Sequence, residues 1–455
     1  MGGLTTSLLM GLQALEVNQA ALDATSNNIA NANTAGYTRE VPLISENAER
    51  LLGGIVTGGG VTLDSIQSVR DELLNLRIQQ LTSQQSSADT QSASLQQIQN
   101  MFASSGGDIG SLFTAFSQSL AQLSSNPSST SVQQGVLSAG QDLAKSFNST
   151  AEGLTSARSS ADQQVTQTVA QINSLTQQIG QLNEQISQAG STGQDGGTLQ
   201  DQRDQLVQQL SSLTGISVSQ SSDGEVITTA NGSPLVMGGN SFALQTTTGT
   251  DGMQHILDSN GNDITSSIQG GQLGGTLQVR DHQIPAFFAS INSLATQFAQ
   301  SFNAAQAKGF DSKGNVGGAF FSLPSNPADA AAGLTVAITD PSQIAISSDG
   351  SAGSNGNVAN LAAVLTTNLP SGQTPIGAYS DLVYQVGDAA SNASDQSSAL
   401  GQSIVQLTNQ QSSVSGVNID EESTNLIRYQ TAYEAAARVV STVQALTTTT
   451  INMIS

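Results

Sequence analysis

Apolar residues recur every seven positions at both ends of the chain. Leu8, Leu15, Leu22 and Ile29, with Leu4 and Leu12 nearby, place a narrow apolar seam on one face of an N-terminal helix. Ile419, Leu426, Tyr433 and Val440 form a second seam, interleaved with Tyr429, Ala436 and Val443. Asn418 is placed to cap that second helix, Glu421 stands three residues on as a capping-box partner, and Asp420 and Glu422 favour the positive helix end. Neither stripe is wide enough to bury itself, so the pattern predicts that the helices pair with one another and with neighbouring copies. Two ordinary surface helices on a globular core would show the same heptads. With so little burial in one chain, residues 1–35 and 419–455 are expected to order fully only on assembly.

Between the seams the period changes twice. Residues 64–213 read as helix, most clearly through Val165, Val169, Ile172, Leu175, Ile179, Leu182 and Ile186, with a stop near Ala189-Gly190 and a second helical run from Leu199 to Leu213. From Gly215 short apolar runs (Ile216, Val218; Val226-Ile227; Leu235-Val236; Phe242, Leu244) are separated by Asp223-Gly224, Asn231-Gly232 and Gly238-Gly239, which predicts strands joined by tight turns. Helix returns at about 284–307, a short strand is expected at Leu334, Val336 and Ile338, and a last inner helix spans about 378–414. The predicted fold class is mainly α with a small β-rich insert, in nested layers. Residues 1–36 and 415–455 form a terminal coiled coil, 37–214, 284–308 and 376–414 a helical-bundle domain, and 215–283 with 309–375 a central β-rich domain.

Composition narrows the function. The chain has 34 acidic against 12 basic residues, a net charge of -22, which opposes binding to phosphate backbones and anionic membranes, so neither nucleic acid nor membrane is an expected partner. With no cysteine there is no disulfide or thiolate chemistry. The N-terminal region offers no secretory signal, since its first basic residue is Arg39, and no apolar run reaches membrane-spanning length. His255 and His282 stand beside no carboxylates at metal-ligand spacing, so no metal site, cofactor or catalytic triad is expected and both read as surface histidines. Asp201, Arg203 and Asp204 read as solvated or inter-helix ion pairs rather than an acid/base cluster. Gly58 to Gly60 lack the Lys-Ser/Thr of a phosphate loop and read as a turn before a strand.

Two motifs add a specific resemblance. Asn27-Asn28-Ile29-Ala30-Asn31-Ala32-Asn33-Thr34-Ala35-Gly36-Tyr37-Thr38-Arg39 is a helix stop in which Asn and Thr compete for the backbone and Gly36 permits a positive φ. It resembles the signature shared by rod, hook and hook-associated proteins of bacterial flagella, and its Gly-Tyr-Thr-Arg ending is the form of the hook-associated protein 1 family. The family usually has Pro where this chain has Ala35. Ser415 to Glu422, followed by Asn425 to Gln430 and Ala432-Tyr433, is similar to the same family's C-terminus. Interior matches include Arg70-Asp71, Asp201-Gln202-Arg203-Asp204, Arg280-Asp281 and Phe320-Phe321, and the short stretch from Phe321 to Asn357 lacks room for the extra outer domain of larger members.

The resemblance implies a structural, non-enzymatic adaptor of the extracellular flagellum that polymerises as a layer at the hook tip and joins hook to filament. It further implies flagellar type III export without a cleaved signal. Its partners would be copies of itself, the hook protein below, hook-associated protein 3 above, and a cytosolic export chaperone on the C-terminal helix. Assembly would rest on Leu8, Leu15, Leu22, Ile29, Asn31, Gly36, Tyr37, Ile419, Leu426, Tyr429, Tyr433 and Val440. The alternatives are another flagellar axial subunit, of filament or hook type, and a secreted adhesin.

Overall fold

The computed structural model describes residues 2–52, 55–102, 107–191, 196–221 and 224–454. The ten helices among them are α1 (Gly2–Asn31), α2 (Glu72–Phe102), α3 (Ile109–Ser125), α4 (Thr130–Ser191), α5 (Gly197–Leu213), α6 (Gly271–Gln278), α7 (Ile284–Gln306), α8 (Val358–Thr366), α9 (Pro375–Ser415) and α10 (Ile419–Ile454). The strands are short: β1 (Glu40–Glu46), β2 (Arg50–Leu52), β3 (Ile55–Thr57), β4 (Val61–Ser68), β5 (Ile216–Ser221), β6 (Gly224–Thr229), β7 (Pro234–Met237), β8 (Asn240–Ser241), β9 (Gln245–Thr248), β10 (Gln254–Leu257), β11 (Phe321–Ser322) and β12 (Thr335–Val336). β5 to β8 make one four-stranded antiparallel meander, and the remaining strands pair in twos. The fold is mainly α with small sheets, as the periodicities predict. Asp223, expected in the first tight turn, lies outside the described residues; the other two turns are present, with Gly232 at φ +90° and Gly238 at φ +56°.

Among the described residues most of the buried apolar side chains gather in two cores. The first gathers Leu95, Ile98 and Phe102 of α2, α3, the N-terminal half of α4, α7, α8 and the first half of α9 around Phe113, Phe116, Phe147, Phe298, Phe302, Phe320 and Phe321. Seven rings buried together pack edge-on or tilted, with centroids 4.8 to 6.4 Å apart. The second core sets Val165, Val169, Ile172 and Ile179 of α4 against Val207 and Leu210 of α5, the sheet residues Ile227, Leu235 and Val236, and Leu273 and Leu277 of α6. α4 has 62 residues, about 93 Å at 1.5 Å per residue, which is how one helix serves both cores. Residues 309–375 bury Phe320, Phe321, Leu334, Ile344 and Leu361 in the first core. They pack with the helices and not with the strands of 215–283, because their apolar side chains answer the aromatic faces of α3 and α7 and their strand pairing is limited to β11–β12 and single bridges at Phe310.

From the first core α2 and α9 leave as an antiparallel pair. Tyr379 Oη donates to the Phe102 carbonyl at 3.2 Å, Ser397 bonds Asp89, and Gln411 bonds Asn75. Their buried positions are small in the middle of the pair, Ser83, Ala88 and Ser92 on one helix and Ala393 and Ser397 on the other, and Ile78 and Leu74 are buried beyond them. The helix starts follow local chemistry. Thr374 Oγ1 accepts from the Gly377 amide at 3.1 Å with Pro375 at the first helical position, and Asp108 accepts from the Ser111 amide at 3.0 Å.

Candidate assembly interface

At the far end of that pair, the two chain ends meet. α1 and α10 pack antiparallel; their inner faces are Val17, Ala21, Ala24, Thr25 and Asn28 on one side and Glu422, Val440 and Val443 on the other. Gly11 sets the approach: a Cβ there would stand 2.7 Å from Val440 Cγ2. The inner seam of α1 is therefore made of smaller residues, one or two positions away from the leucine stripe. Leu8, Leu15, Leu22 and Ile29 are only half-buried, as are Leu426, Tyr429 and Tyr433; Val440 is buried, and Ile419 is exposed.

The helix stop after α1 is the hub of a polar clasp. Asn28, 1% exposed, donates through Nδ2 to the Glu40 carbonyl at 2.8 Å and to Glu422 Oε2 at 3.1 Å. Its Oδ1 accepts from Tyr37 Oη and from the Glu40 amide, both at 2.9 Å. One side chain thus ties α1, the turn, β1 and α10 together. Burial, reinforced by the carboxylates of Glu40, Asp201 and Glu422, pushes the Tyr37 phenol well above its ordinary value and keeps it a neutral donor. Gly36 takes φ +78°, and Gln205 donates to the Ala35 carbonyl at 2.9 Å beside it. Asn31 closes the helix end locally, donating to the Asn27 carbonyl at 3.0 Å and accepting from Thr34 Oγ1 at 3.2 Å.

Charged residues extend the clasp inward. Asp201 accepts from the Thr38 amide at 3.1 Å and Thr38 Oγ1 at 2.7 Å, and pairs with Arg70 at 2.5 Å; Arg70 also binds Asp204. Arg203 pairs with Glu225 at 2.8 Å on β6. Asp201 and Arg203 are buried at 7% exposure, so these are inter-element pairs and not solvated ones. Burial raises Asp204 and Glu225 against the neighbouring arginines. Arg39 donates its amide to the Ser415 carbonyl at 2.9 Å and its guanidinium to Glu421 at 3.3 Å. Asn418 does cap α10, accepting from the Asp420 amide at 3.0 Å, but the Glu421 carboxylate turns to Arg39, the nearby cation, instead of serving the cap.

The remaining candidates are structural. His255 is not a bare surface histidine: Nδ1 meets Asp263 at 2.6 Å and Nε2 meets Asp251 at 3.2 Å, because the β9–β10 hairpin and the turn after β10 bring together residues that spacing leaves apart. Arg280, 1% exposed, is held by Asp162 at 2.7 Å and Asp281 at 2.7 Å. Among the described residues no cluster of His, Asp or Glu side chains is arranged to hold a metal ion, and no helix is long and apolar enough to cross a membrane. Sequence reasoning overlooked Asn28, Glu40, Glu422 and Arg70 as functional residues. The available signals were the places of Asn28, Arg70 and Glu422 in the quoted motifs, and Asn28 as a poor helix former inside a helix.

Residues 95–321 match the family described as flagellar hook-associated protein FlgK helical domain. Residues 8–38 match the flagella basal body rod protein family, and 409–453 the flagellar basal body rod FlgEFG protein C-terminal family. Flagellar hook-associated protein 1 of Bacillus subtilis is 31% identical over 96% of this chain and 96% of its own length, and that of Escherichia coli is 27% identical over 100% of both. The solved flagellar hook junction protein FlgK from Burkholderia pseudomallei superimposes with a TM-score of 0.66 at 21% identity, covering 74% of this chain and 100% of that one, which is a likeness of fold.

Proposed function

The chain belongs to the flagellar hook-associated protein 1 family, structural components of the bacterial flagellum, and we propose that it joins hook to filament by polymerising as one layer at the hook tip. The observation that carries this reading is the clasp of Asn28, Tyr37, Glu40 and Glu422, which holds both chain ends in one helical layer whose leucine stripe is left half-covered. Leu8, Leu15, Leu22 and Ile29 on α1 and Ile419, Leu426, Tyr429, Tyr433 and Val440 on α10 are the assembling surface in this proposal. Asn31, Gly36 and Tyr37 fix the turn beneath it. The hook protein and hook-associated protein 3 are the neighbours in the axis. A cytosolic chaperone covers α10 before export, and export proceeds through the flagellar type III apparatus without a cleaved signal. No catalytic role is assigned: His255 pairs with Asp251 and Asp263 around the β9–β10 hairpin, and Arg280 ties the helical segment before α7 to Asp162 of α4.

The test is complementation of a strain lacking this protein. The full chain is expected to restore swimming and retain filaments, whereas a chain ending at Asn418 sheds flagellin into the medium. Normal swimming with the shortened chain, or shedding despite export of the full chain, would refute the reading.

A further inference from the structure

Given polymerisation, the faces by which adjacent copies meet follow from register and charge. Val440 lies against Gly11 and Glu422 is bonded to Asn28. Eighteen residues separate the two points on α10 and seventeen on α1, so heights along the antiparallel pair match nearly one for one. Asp23 stands level with Ile427 and Arg428, Leu12 with Val439, and Glu16 with Glu434 and Ala435, about one turn from Arg438.

Around each helix the heptad separates two faces. On α1, Val17, Ala21, Ala24 and Asn28 face α10, and Leu9, Glu16 and Asp23 fall on the opposite side, all exposed. On α10, Glu422, Val440 and Val443 face inward, and Ile427, Arg428, Glu434 and Arg438 are exposed. Beyond its first turn α10 has two arginines against one carboxylate, whereas the outer face of α1 has two carboxylates and no cation. Among the described residues none of Glu16, Asp23, Arg428 or Arg438 is held in an ion pair. Asp23 accepts from Gln19 on its own helix, and Arg428 lies over the Tyr429 ring at 4.9 Å.

We propose that the outer face of α1 in one copy docks on the outer face of α10 in the next, with Asp23 meeting Arg428, Glu16 meeting Arg438, and Leu12 covering Val439. The contact is heterologous, so each copy offers one face of either kind and copies join head to tail, as a closed ring or a rising helix. Opposite charge here works against the general repulsion between chains of net charge -22. The inference rests on the polymerising role and names which faces perform it.

The absence of native cysteine makes the test direct. Asp23→Cys and Arg428→Cys are combined in the full chain, flagella are isolated from cells that carry it in place of the resident protein, and the preparation is oxidised with copper phenanthroline. A ladder of dimers and higher multimers on a non-reducing gel, lost on reduction, is expected; the two positions lie on opposite outer faces of one chain, so an internal disulfide does not compete. In parallel, Asp23→Arg and Arg428→Asp alone should each increase shed flagellin, and together should return it toward the wild-type level. Retained filaments with no ladder, or no rescue by the double reversal, overturns the pairing and leaves the junction role intact. If the cysteine variant loses its filaments, the reversal series decides. Shedding by the unmodified chain would instead defeat the polymerising role itself.

Discussion

The aromatic core and the terminal helix pair are built from the same chain on opposite rules. In the core, Phe113, Phe116, Phe147, Phe298, Phe302, Phe320 and Phe321 are at most 1% exposed, and helices distant in sequence meet over large side chains. In the pair, the buried apolar side chains are Val17, Ala21, Ala24, Val440 and Val443, and the bulky residues lie half-covered or outside. A buried valine contributes about 1.5–3 kcal/mol, against a backbone cost of about 1–2 kcal/mol for each residue ordered. The core therefore stands on burial within one chain. The pair stands on a polar clasp and on whatever covers its outer stripes.

The largest effect should come from the core. Phe298→Ala removes a ring packed 4.9 Å from Phe113 and 5.2 Å from Phe321, and a loss of about 3–5 kcal/mol is expected in chemical unfolding of the monomer. A loss below about 1 kcal/mol would erase the contrast. Next is Asn28→Leu, which leaves Tyr37 Oη, Glu422 and the Glu40 backbone without their shared partner; a cost of about 1–3 kcal/mol is expected, read in isolated flagella as weaker amide protection in α1 and α10 alone. Smaller still on the monomer is Leu22→Ala, at under about 1 kcal/mol by thermal melting, yet filament shedding should rise because the lost surface is intermolecular. The sharpest form of the comparison is that Phe298 and Leu22 should exchange rank between the two assays.

The smallest effect belongs to His255. Its hydrogen bond to Asp263 raises the imidazolium above its ordinary value, partial burial opposes this, and Asp251 adds to the rise. Asp263 is held down at about 2, where burial is outweighed by the bonds from Thr265 and His255. A raised histidine contributes stability below its unfolded value and loses it as pH rises through the folded one; a lowered aspartate contributes above its unfolded value and loses it as pH falls. Local protection of the β9–β10 hairpin should thus be greatest between about pH 4 and 6, and His255→Gln should flatten that profile with no change in the terminal helices. An unaltered profile would remove the pair from the account.

Period carried most of the fold. The step from sevenfold seams to three-and-four spacing to short apolar runs located α1, α4, α5, the β5–β8 meander, α7, α9 and α10, because each of these has one dominant environment. Residues 309–375 escaped because the Gly- and Pro-rich stretch has little repeating pattern, and Phe320, Phe321 and Leu334 find partners on α3 and α7 only once the chain is folded. At the site the seams were visible while their inner face was not. Leucine draws the eye to positions 8, 15, 22 and 29, but the helices approach each other through Gly11, Val17, Ala21 and Ala24, off that stripe. The clasp was invisible for a different reason: Asn28 and Glu422 meet across 394 residues, and no local spacing records that.

Amide hydrogen exchange on the full chain, first as a verified monomer and then in isolated flagella, tests the central claim most directly. The account predicts slow exchange in α3, α7 and the N-terminal half of α4 in both states. It predicts fast exchange in α1 and α10 of the monomer, replaced by protection in the assembled axis. Protection of α1 and α10 in the monomer equal to that of the aromatic core would contradict it, since the terminal pair would then be complete without a neighbour.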